Sequence, residues 1–321
     1  MCRTRTLSTW MRTDDHKSPE GAASVNMLQR LKVGLFRRYY RFSARQAWHA
    51  PDVHSSPGFL ELPTSAGPLR GHLYRGEQSS ERPLVIYFHG GGWVIGDLQT
   101  HHAYCQALCD ASGATLIAVD YRLAPEHRFP TAQDDCLAAA TAIAERLSDF
   151  GPNNGSIVLA GDSAGGQLSL CTALAAEKVL REAIVGMILT YPVVDHYTRP
   201  SPSYLDCARG QALTSDIMRW FWDSYLGDTD PEDPGTQRAF PIRSTALSTL
   251  PPALLCTAGR DPLRDEGMAM ADALRDAGVA VEQEHYPDSE HGFACSLGPT
   301  EDYKAWLARC ASWIAERPPS S

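Results

Sequence analysis

The chain has 321 residues, of which 43% are hydrophobic and 21% are charged, and its formal net charge is -9 at pH 7. This composition is typical of a globular protein with a large core, and the acidic balance argues against a nucleic-acid footprint or a polybasic membrane anchor. No apolar segment approaches the ~18 residues of a membrane span, and the polar residues 1–17 lack the apolar region of a secretory signal. We therefore expect a cytoplasmic protein.

The nine cysteines are scattered, with no Cys-x-x-Cys pair and no Cys/His cluster at metal-ligand spacing. Reduced thiols are the expectation in a cytoplasm. Cys105 and Cys109 lie four residues apart on a predicted helix, where both are expected to pack as small apolar side chains. The pattern predicts no metal site.

The first predicted elements are an amphipathic helix and two strands. Between Asn26 and Trp48, apolar residues recur at helical spacing among Arg and Lys, which predicts one helix or two. The basic face is compatible with a membrane surface, but we favour a helix that covers a neighbouring part of the protein. After a connection at residues 51–57, alternating residues predict strands over 59–62 and 69–74.

A strand that ends in three glycines is the first motif with a chemical meaning. Residues 84–88 are a continuous apolar run, typical of a buried parallel strand, and they lead directly into His89-Gly90-Gly91-Gly92-Trp93. Successive glycines leave backbone N–H groups open to a ligand, as an oxyanion hole in acyl transfer requires. His89 is expected to fix this loop by hydrogen bonding; a merely flexible loop is the alternative.

The next segments repeat strand and helix. A helix is predicted over about 100–111, a buried strand over 115–120, a helix over about 131–150 and an apolar strand over 156–160. This alternation predicts a parallel sheet with helices on both faces, whose functional sites lie at the carboxyl ends of the strands. No strand leads into Gly-x-Gly-x-x-Gly, and no Walker motif is present, which argues against a dinucleotide-binding fold.

The last of these strands leads into Gly161-Asp162-Ser163-Ala164-Gly165. A strand, a sharp Gly-x-Ser-x-Gly turn and a helix form a nucleophile elbow, in which Ser163 would be the nucleophile. The glycines are needed because the turn is too tight for β-carbons on either side. Taken alone the motif is weak, since it arises by chance, and an incidental serine in a Gly-rich turn is the alternative.

Beyond a further strand at 185–191, the regular pattern breaks. Residues 197–202 are rich in turn formers, 213–226 predict an aromatic helix with Thr214 as N-cap, and 228–235 are acidic with prolines. The apolar residues of the aromatic helix cover more than one stripe, so this helix can pack on the core and also face the N-terminal helix. The two would then form a lid over the strand ends; an ordinary core helix is the alternative.

The sheet pattern resumes at residues 253–258, and Asp261 follows directly. An aspartate just past a strand can reach a histidine on a neighbouring loop, although a helix N-cap is the simpler interpretation. A helix then runs to Ala277, and 279–286 form the last predicted strand. His291 comes next and is the histidine best placed to act as a general base. Three other histidines are expected to be surface or structural residues: His101, His102 and His127.

Ser163, Asp261 and His291 follow the order nucleophile, acid, base, which is that of α/β-hydrolases and differs from two familiar protease orders. At these motifs the chain resembles the hormone-sensitive-lipase-like esterases, and within them the bacterial acetyl esterases. The resemblance covers about residues 55–315. Its motifs are His89-Gly90-Gly91-Gly92-Trp93, residues 121–126, Gly161-Asp162-Ser163-Ala164-Gly165-Gly166, Asp261-Pro262-Leu263 and His291-Gly292-Phe293.

The resemblance implies an α/β-hydrolase fold, with a mostly parallel central sheet, helices on both faces and a helical cap. It divides the chain into an N-terminal tail with cap helices (1–55), a first part of the core (56–194), a cap insertion (195–240) and a second part of the core (241–321). Residues 1–25 match nothing in the family, so no role is assigned to them.

The resemblance also implies roles for single residues. The N–H groups of Gly91, Gly92 and Ala164 would form the oxyanion hole, to which the bare loop adds Gly90 as a further candidate. Asp162 and His89 would support the two motifs, and residues 122 and 126 would be structural. Four aromatic residues are expected to line the substrate pocket: Trp93, Tyr191, Phe221 and Phe293.

Together these features predict a serine carboxylesterase that forms an acyl-enzyme and needs no metal or organic cofactor. The resemblance implies short acyl esters as substrates, from acetyl to butyryl or hexanoyl. The same chemistry would serve an amide, lactone or carbamate substrate. A non-catalytic ligand-binding protein is the less favoured alternative, because such a protein would be expected to lose the nucleophile or the base. The expected partner is a small-molecule ester, and apolar edge strands also allow a homodimer.

Overall fold

A computed structural model describes residues 27–47 and 57–319 of the chain. The expected N-terminal tail (1–25) and nearly all of the connection at 51–57 lie outside these residues. Within them, no helix is long and apolar enough to cross a lipid bilayer. The cytoplasmic location stays a prediction.

A single eight-stranded sheet forms the centre of the described protein. Its strands, numbered β1 to β8, are Gly58–Thr64, Gly67–Tyr74, Leu84–Phe88, Leu116–Asp120, Ile157–Asp162, Ile184–Thr190, Ala253–Arg260 and Val281–Glu290. Their order across the sheet is β1-β2-β4-β3-β5-β6-β7-β8. The pairs β1–β2 and β2–β4 are antiparallel, and all pairs from β4 to β8 are parallel. The predicted mostly parallel sheet is confirmed.

Helices cover the sheet and its carboxyl edge. The α-helices of the described residues, numbered α1 to α9, are Met27–Ala47, His102–Ser112, Thr131–Ala144, Ala164–Ala175, Lys178–Ala183, Pro202–Asp206, Ser215–Leu226, Arg264–Asp276 and Glu301–Ala315. Short 3-10 helices span Ser79–Glu81, Leu147–Phe150, Pro234–Ala239, Pro241–Arg243 and Leu247–Thr249.

Both faces of the sheet are buried, which explains why its central strands are continuously apolar. Along β3, Leu84 and Ile86 belong to a core cluster shared with α3, α4 and α8. Val85 and Tyr87 belong to a second cluster, shared with α2 and α9. Since successive strand residues point to opposite faces, the two clusters form two layers, one on each side of the sheet.

None of the eight cysteines in the part of the chain that the structure describes forms a disulfide with another, and all eight are buried. Burial raises the pKa of Cys105 well above its ordinary value and that of Cys109 to about 12. Both belong to α2 and to the second core cluster, where they pack as small apolar side chains, as predicted.

Two elements differ from their predicted bounds by several residues, and the others differ by at most two. The helix predicted over 131–150 is α3, which ends at Ala144 and is followed by a separate 3-10 helix. The last strand, predicted over 279–286, extends to Glu290, because Arg260 of β7 pairs with Glu290. Pro287 does not prevent this, since β8 lies at the edge of the sheet, where a missing N–H costs no ladder bond.

The N-terminal helix contacts both α7 and the core. The ring of Phe36 meets that of Trp220 on α7 edge to face, with centroids 5.6 Å apart. The Arg37 guanidinium donates to the carbonyl oxygens of Val94 (2.8 Å) and Ala124 (2.9 Å). The two helices therefore meet, as the sequence predicted, and α1 is fixed to the segment that follows the glycine loop.

An ion pair with a fully buried carboxylate holds the segment after β4. The fully buried Asp135 carboxylate accepts hydrogen bonds from the backbone N–H of Arg122 (2.9 Å) and from its Nε (2.9 Å) and Nη2 (2.6 Å). Glu126 pairs instead with Arg37 of α1, at 2.9 and 2.8 Å. Both contacts agree with the structural roles that the resemblance implies for Arg122 and Glu126.

Arg122→Ala is expected to lower the free energy of unfolding by about 3 kcal/mol, because it leaves the Asp135 carboxylate buried without its partner. Urea denaturation followed by far-ultraviolet circular dichroism measures the change. Arg146→Ala is the control: Arg146 pairs with Asp149 at the surface, where the loss should stay below about 1 kcal/mol. Equal losses in the two variants would contradict the structural role of Asp135.

Candidate active site

Ser163 sits at a strained turn between β5 and α4. Its backbone has φ 54° and ψ -118°, in a region that residues with a Cβ rarely adopt. A Cβ at Gly161 would overlap the backbone of Gly165, and a Cβ at Gly165 would overlap the carbonyl of Phe88. The Gly-x-Ser-x-Gly spacing therefore follows from the close approach of β3, β5 and α4.

Three side chains that are distant in the sequence meet at the carboxyl ends of the strands. Ser163 follows β5, Asp261 follows β7 and His291 follows β8. Nε2 of His291 lies 3.0 Å from Oγ of Ser163, and its Nδ1 lies 2.7 Å from Oδ2 of Asp261. This geometry lets the imidazole take a proton from the serine while the carboxylate accepts a hydrogen bond from Nδ1.

Leu263 is the N-cap of α8, so Asp261 fulfils only one of the two roles that its sequence position suggested, which is to face the histidine. Asp261 is fully buried, and Oδ1 accepts the N–H of Leu263 (2.9 Å) just before α8, while Oδ2 faces His291. The first bond holds the carboxylate in place, so that its second oxygen is directed at the imidazole. The N–H of the residue just before α8 thus orients the Asp261 carboxylate.

The glycine loop follows β3, which is the neighbour of β5 in the sheet. Gly91 and Gly92 have positive φ angles, of 115° and 56°. A Cβ at Gly91 would overlap the carbonyl of Ile95, and one at Gly92 would overlap the ring of Phe221. Within residues 27–47 and 57–319, the N–H groups of Gly91, Gly92 and Ala164 donate to no other protein group. These three donors are available to a bound oxygen.

Gly90 differs from the expected set of donors. Its N–H donates to Oδ1 of Asp162 (2.8 Å), which also accepts the hydroxyl of Tyr87 (2.7 Å). We therefore leave Gly90 out of the oxyanion hole, since its donor is already used to hold the loop at the elbow.

Asp162 is buried and ionised. Burial by itself raises its pKa, but His101 and the hydrogen bonds from Tyr87 and Gly90 outweigh this effect and hold the pKa below its ordinary value. Nε2 of His101 lies 3.4 Å from Oδ1. His101, expected to be surface or structural, is a buried neighbour of the elbow, and no spacing in the sequence indicates that position.

His89 fixes the glycine loop, as predicted. Its Nδ1 lies 2.8 Å from the carbonyl oxygen of Gly90, and its ring stacks on that of Tyr121 with centroids 4.3 Å apart. The Tyr121 hydroxyl donates to the carbonyl oxygen of His89 (2.6 Å). His89 lies among these partners and not beside Ser163.

Three of the four predicted pocket aromatics lie beside the candidate site. The ring of Tyr191 is 4.6 Å from that of His291 and 5.6 Å from that of Phe293. Phe221 of α7 lies directly against Gly92. Tyr191 and Phe293 thus lie on the side of the imidazole, and Phe221 lies on the side of the glycine loop.

Trp93 corrects the expected lining of the pocket. It is fully buried, stacks on Tyr225 with centroids 4.3 Å apart and donates through Nε1 to Oε1 of Gln167 (3.2 Å). The indole therefore joins the glycine loop to α7 and α4, and it has no surface left for a substrate.

Comparison with known proteins gives consistent matches. A family model described as the alpha/beta hydrolase fold matches residues 85–295. The carboxylic ester hydrolase LipN of Mycobacterium tuberculosis is 40% identical over 253 residues, which are 77% of this chain and 67% of that protein. Ethyl acetate hydrolase of Pseudomonas putida is 35% identical over 280 residues, or 85% of this chain and 86% of that protein.

The fold is also similar to solved structures. A hyperthermophilic esterase from the archaeon Pyrobaculum calidifontis superposes with a TM-score of 0.79 at 36% identity, covering 88% of this chain and 90% of that chain. A thermophilic carboxylesterase cloned from a metagenomic library, EstE1, superposes with a TM-score of 0.80 at 32% identity, over 88% and 96%.

A further buried carboxyl group near Asp261 was not predicted from the sequence. Glu266, in the first turn of α8, is buried and accepts the N–H groups of Val194 (2.8 Å) and Asp195 (3.5 Å) through Oε1. Burial raises its pKa to about 8, and the negative charges of Asp195 and Asp261 act in the same direction. Glu266 is therefore protonated in the folded protein near neutral pH.

This pKa predicts a dependence of stability on pH. Because the folded pKa of about 8 lies above the ~4.3 of an unfolded glutamate, the contribution of Glu266 is complete below about pH 4 and is lost as the pH rises through 8. Relative to Glu266→Gln, the wild-type free energy of unfolding should fall by up to roughly 1.4 kcal/mol per pH unit between these values. Urea denaturation of both proteins at a series of pH values measures the difference; parallel curves would contradict the raised pKa.

Proposed function

Since the chain belongs to the alpha/beta hydrolase family and is a carboxylic ester hydrolase, we propose that Ser163 is its nucleophile, with His291 as general base and Asp261 as the orienting carboxylate. The observation that carries this proposal is the continuous path from Oγ through the imidazole to the buried carboxylate, at 3.0 and 2.7 Å. The family is the one that the sequence motifs resembled.

Acylation begins when Oγ of Ser163 attacks the ester carbonyl carbon and its proton passes to Nε2 of His291. The imidazolium that forms is stabilised by Asp261. When the tetrahedral intermediate collapses, the carbon–oxygen bond to the alcohol breaks and Nε2 gives the proton to the departing oxygen. An acyl-serine and a free alcohol result.

Deacylation repeats these steps with water in place of the serine. Nε2 of His291 takes a proton from the water, whose oxygen attacks the acyl carbon. Collapse of the second intermediate breaks the bond to Oγ, which recovers the proton from the imidazolium and releases the carboxylic acid. The protein returns to its initial state without a cofactor.

In both intermediates the carbonyl oxygen is negative, and we assign its stabilisation to the N–H groups of Gly91, Gly92 and Ala164. The loop glycines have no side chain to obstruct them, and Ala164 is the first residue of α4, whose N-terminus favours negative charge. Asp162 acts indirectly, because it holds Gly90 and hence the loop against the elbow.

The proposed substrates are esters with acyl groups from acetyl to butyryl or hexanoyl. Phe221 occupies the space directly over Gly92, and α1 supports α7 through the contact of Phe36 with Trp220. We assign α1 and residues 195–240 to a cap that restricts the length of the acyl group. The relatives bear the names of ester hydrolases, so we place an ester before an amide, lactone or carbamate.

Ser163→Ala is expected to lower kcat/KM for p-nitrophenyl acetate by at least about 10⁴-fold, because the acyl-enzyme can no longer form. The wild type should be labelled at Ser163 by a fluorophosphonate probe, as shown by mass spectrometry of the peptides. Ser148→Ala, at an exposed position, is the control and should retain activity and labelling. Circular dichroism checks the fold; a folded Ser163→Ala protein with near wild-type turnover would exclude Ser163 as nucleophile.

The cap predicts a limit on acyl length. In the wild type, kcat/KM for p-nitrophenyl decanoate should be at least about tenfold below that for the acetate or butyrate. Phe221→Ala should bring kcat/KM for the decanoate closer to that for the acetate, because it opens the space next to Gly92. Phe59→Ala, at an exposed position on β1, is the control and should leave the two values as far apart as in the wild type. Equal rates on all chain lengths in the wild type would show that the cap imposes no such limit.

A further inference from the structure

One face of α1 carries large apolar side chains that no described residue covers. Among the large hydrophobic residues that are exposed, half lie on this one helix. Their spacing of four, four and three places them on a single stripe along the helix, opposite the buried Val33 and Ala44. These residues, the apolar stripe, are Leu31 (57% exposed), Leu35 (55%), Tyr39 (47%) and Phe42 (60%).

A further exposed apolar side chain lies on the loop after His291. Leu297 is also exposed, and it follows Ser296, whose Oγ is bonded to the Tyr40 hydroxyl at 2.8 Å. Gly298, on its other side, packs so closely on Ala47 that a Cβ there would meet the carbonyl oxygen of Ala47 at 2.5 Å. Leu297 therefore lies near the C-terminal half of α1, on the side of the helix that faces the core, and it is not part of the apolar stripe.

The helix is cationic in an acidic protein. Residues Met27–Ala47 include six Arg and Lys and no Asp or Glu, while the whole chain has a formal net charge of -9. Two of the cations are neutralised locally, since Arg37 pairs with Glu126 and Arg41 with Asp97. Three others are exposed and form no ion pair within the described residues: Arg30, Arg38 and Arg45.

Arg38 and Arg45 lie next to the stripe. Arg38 is three residues after Leu35 and four before Phe42, and Arg45 is three after Phe42, so both are neighbours of the stripe on the helix surface. An exposed apolar stripe flanked by arginines is typical of a helix that lies in a membrane interface, where the long side chains reach up to the head groups.

We propose that α1 docks reversibly on an anionic lipid surface, with the apolar stripe in the interface and Arg38 and Arg45 at the head groups. The acidic remainder of the chain is repelled by the same surface, so that only this face of the protein is presented to it. No unfolding is required, because Arg37 and Tyr40 on the opposite side hold α1 on the core. This inference does not depend on the hydrolytic assignment.

A second copy of the chain is a poorer occupant. A twofold dimer through the stripe would place the same surface of both copies together, and with it Arg38 and Arg45 of each. These cations would meet across an apolar contact with no carboxylate on either helix to compensate them. Anionic lipid head groups supply that missing charge.

Sedimentation with vesicles of phosphatidylcholine containing about 30% phosphatidylglycerol tests the proposal on the full-length protein. We expect binding that is absent with pure phosphatidylcholine and is lost at roughly 0.5 M salt. The variant Leu35→Ser/Phe42→Ser should bind about tenfold more weakly, and Arg38→Gln/Arg45→Gln should lose a similar factor. The matched control is Lys178→Gln/Val179→Ser, which removes an exposed cation and an exposed apolar residue on α5.

Several results would overturn the proposal. They are no binding of the wild type to the anionic vesicles, wild-type binding by Leu35→Ser/Phe42→Ser, or an equal loss in the α5 control. A wild-type dimer in analytical ultracentrifugation that dissociates in Leu35→Ser/Phe42→Ser would identify the stripe as a self-association surface instead. Far-ultraviolet circular dichroism shows whether each variant is folded. If Leu35→Ser/Phe42→Ser is not folded, the binding of Arg38→Gln/Arg45→Gln decides the test.

Discussion

The buried carboxylate of Asp162 joins the two motifs on which the site depends. One of its oxygens accepts both the N–H of Gly90 and the hydroxyl of Tyr87, and so ties the loop after β3 to the elbow after β5. Beyond Gly90 come Gly91 and Gly92, whose positive φ angles only glycine adopts readily, so this part of the loop needs a constraint on its conformation. The charge-assisted hydrogen bond from Gly90 to the buried Asp162 contributes to this constraint and holds the loop against the turn that carries Ser163.

The other elements act through the same few loops. Trp93 anchors the far end of the glycine loop under α7, and Arg37 of α1 holds the carbonyl oxygen of the next residue, Val94. Tyr40 of α1 contacts Ser296 on the loop that carries His291. A single N-terminal helix thus touches the segments on both sides of the proposed site, while its opposite face is the apolar stripe. The helix that carries the apolar stripe is therefore in direct contact with the glycine loop and with the loop of His291.

Local sterics explain which parts of the site could be predicted from sequence. The elbow and the glycine loop can be recognised in the sequence because the backbone approaches so closely at their glycine positions that no Cβ fits there. Strands β3, β5 and β7 can be recognised because both of their faces are buried and their residues are therefore apolar. The roles of Gly90 and Trp93 were wrong, since each depends on a distant partner, Asp162 or Gln167. The raised pKa of Glu266 likewise arises from tertiary burial, which no spacing encodes.

The central claim is that Ser163 attacks a carbonyl whose oxygen is held by the amides of Gly91, Gly92 and Ala164. A crystal structure of the protein after reaction with diethyl p-nitrophenyl phosphate tests it most directly. We predict phosphorus bonded to Oγ of Ser163 and the phosphoryl oxygen within about 3 Å of those three nitrogens, with Gly90 still bound to Asp162. An unmodified Ser163, or a phosphoryl oxygen directed into solvent away from the loop, would contradict the account.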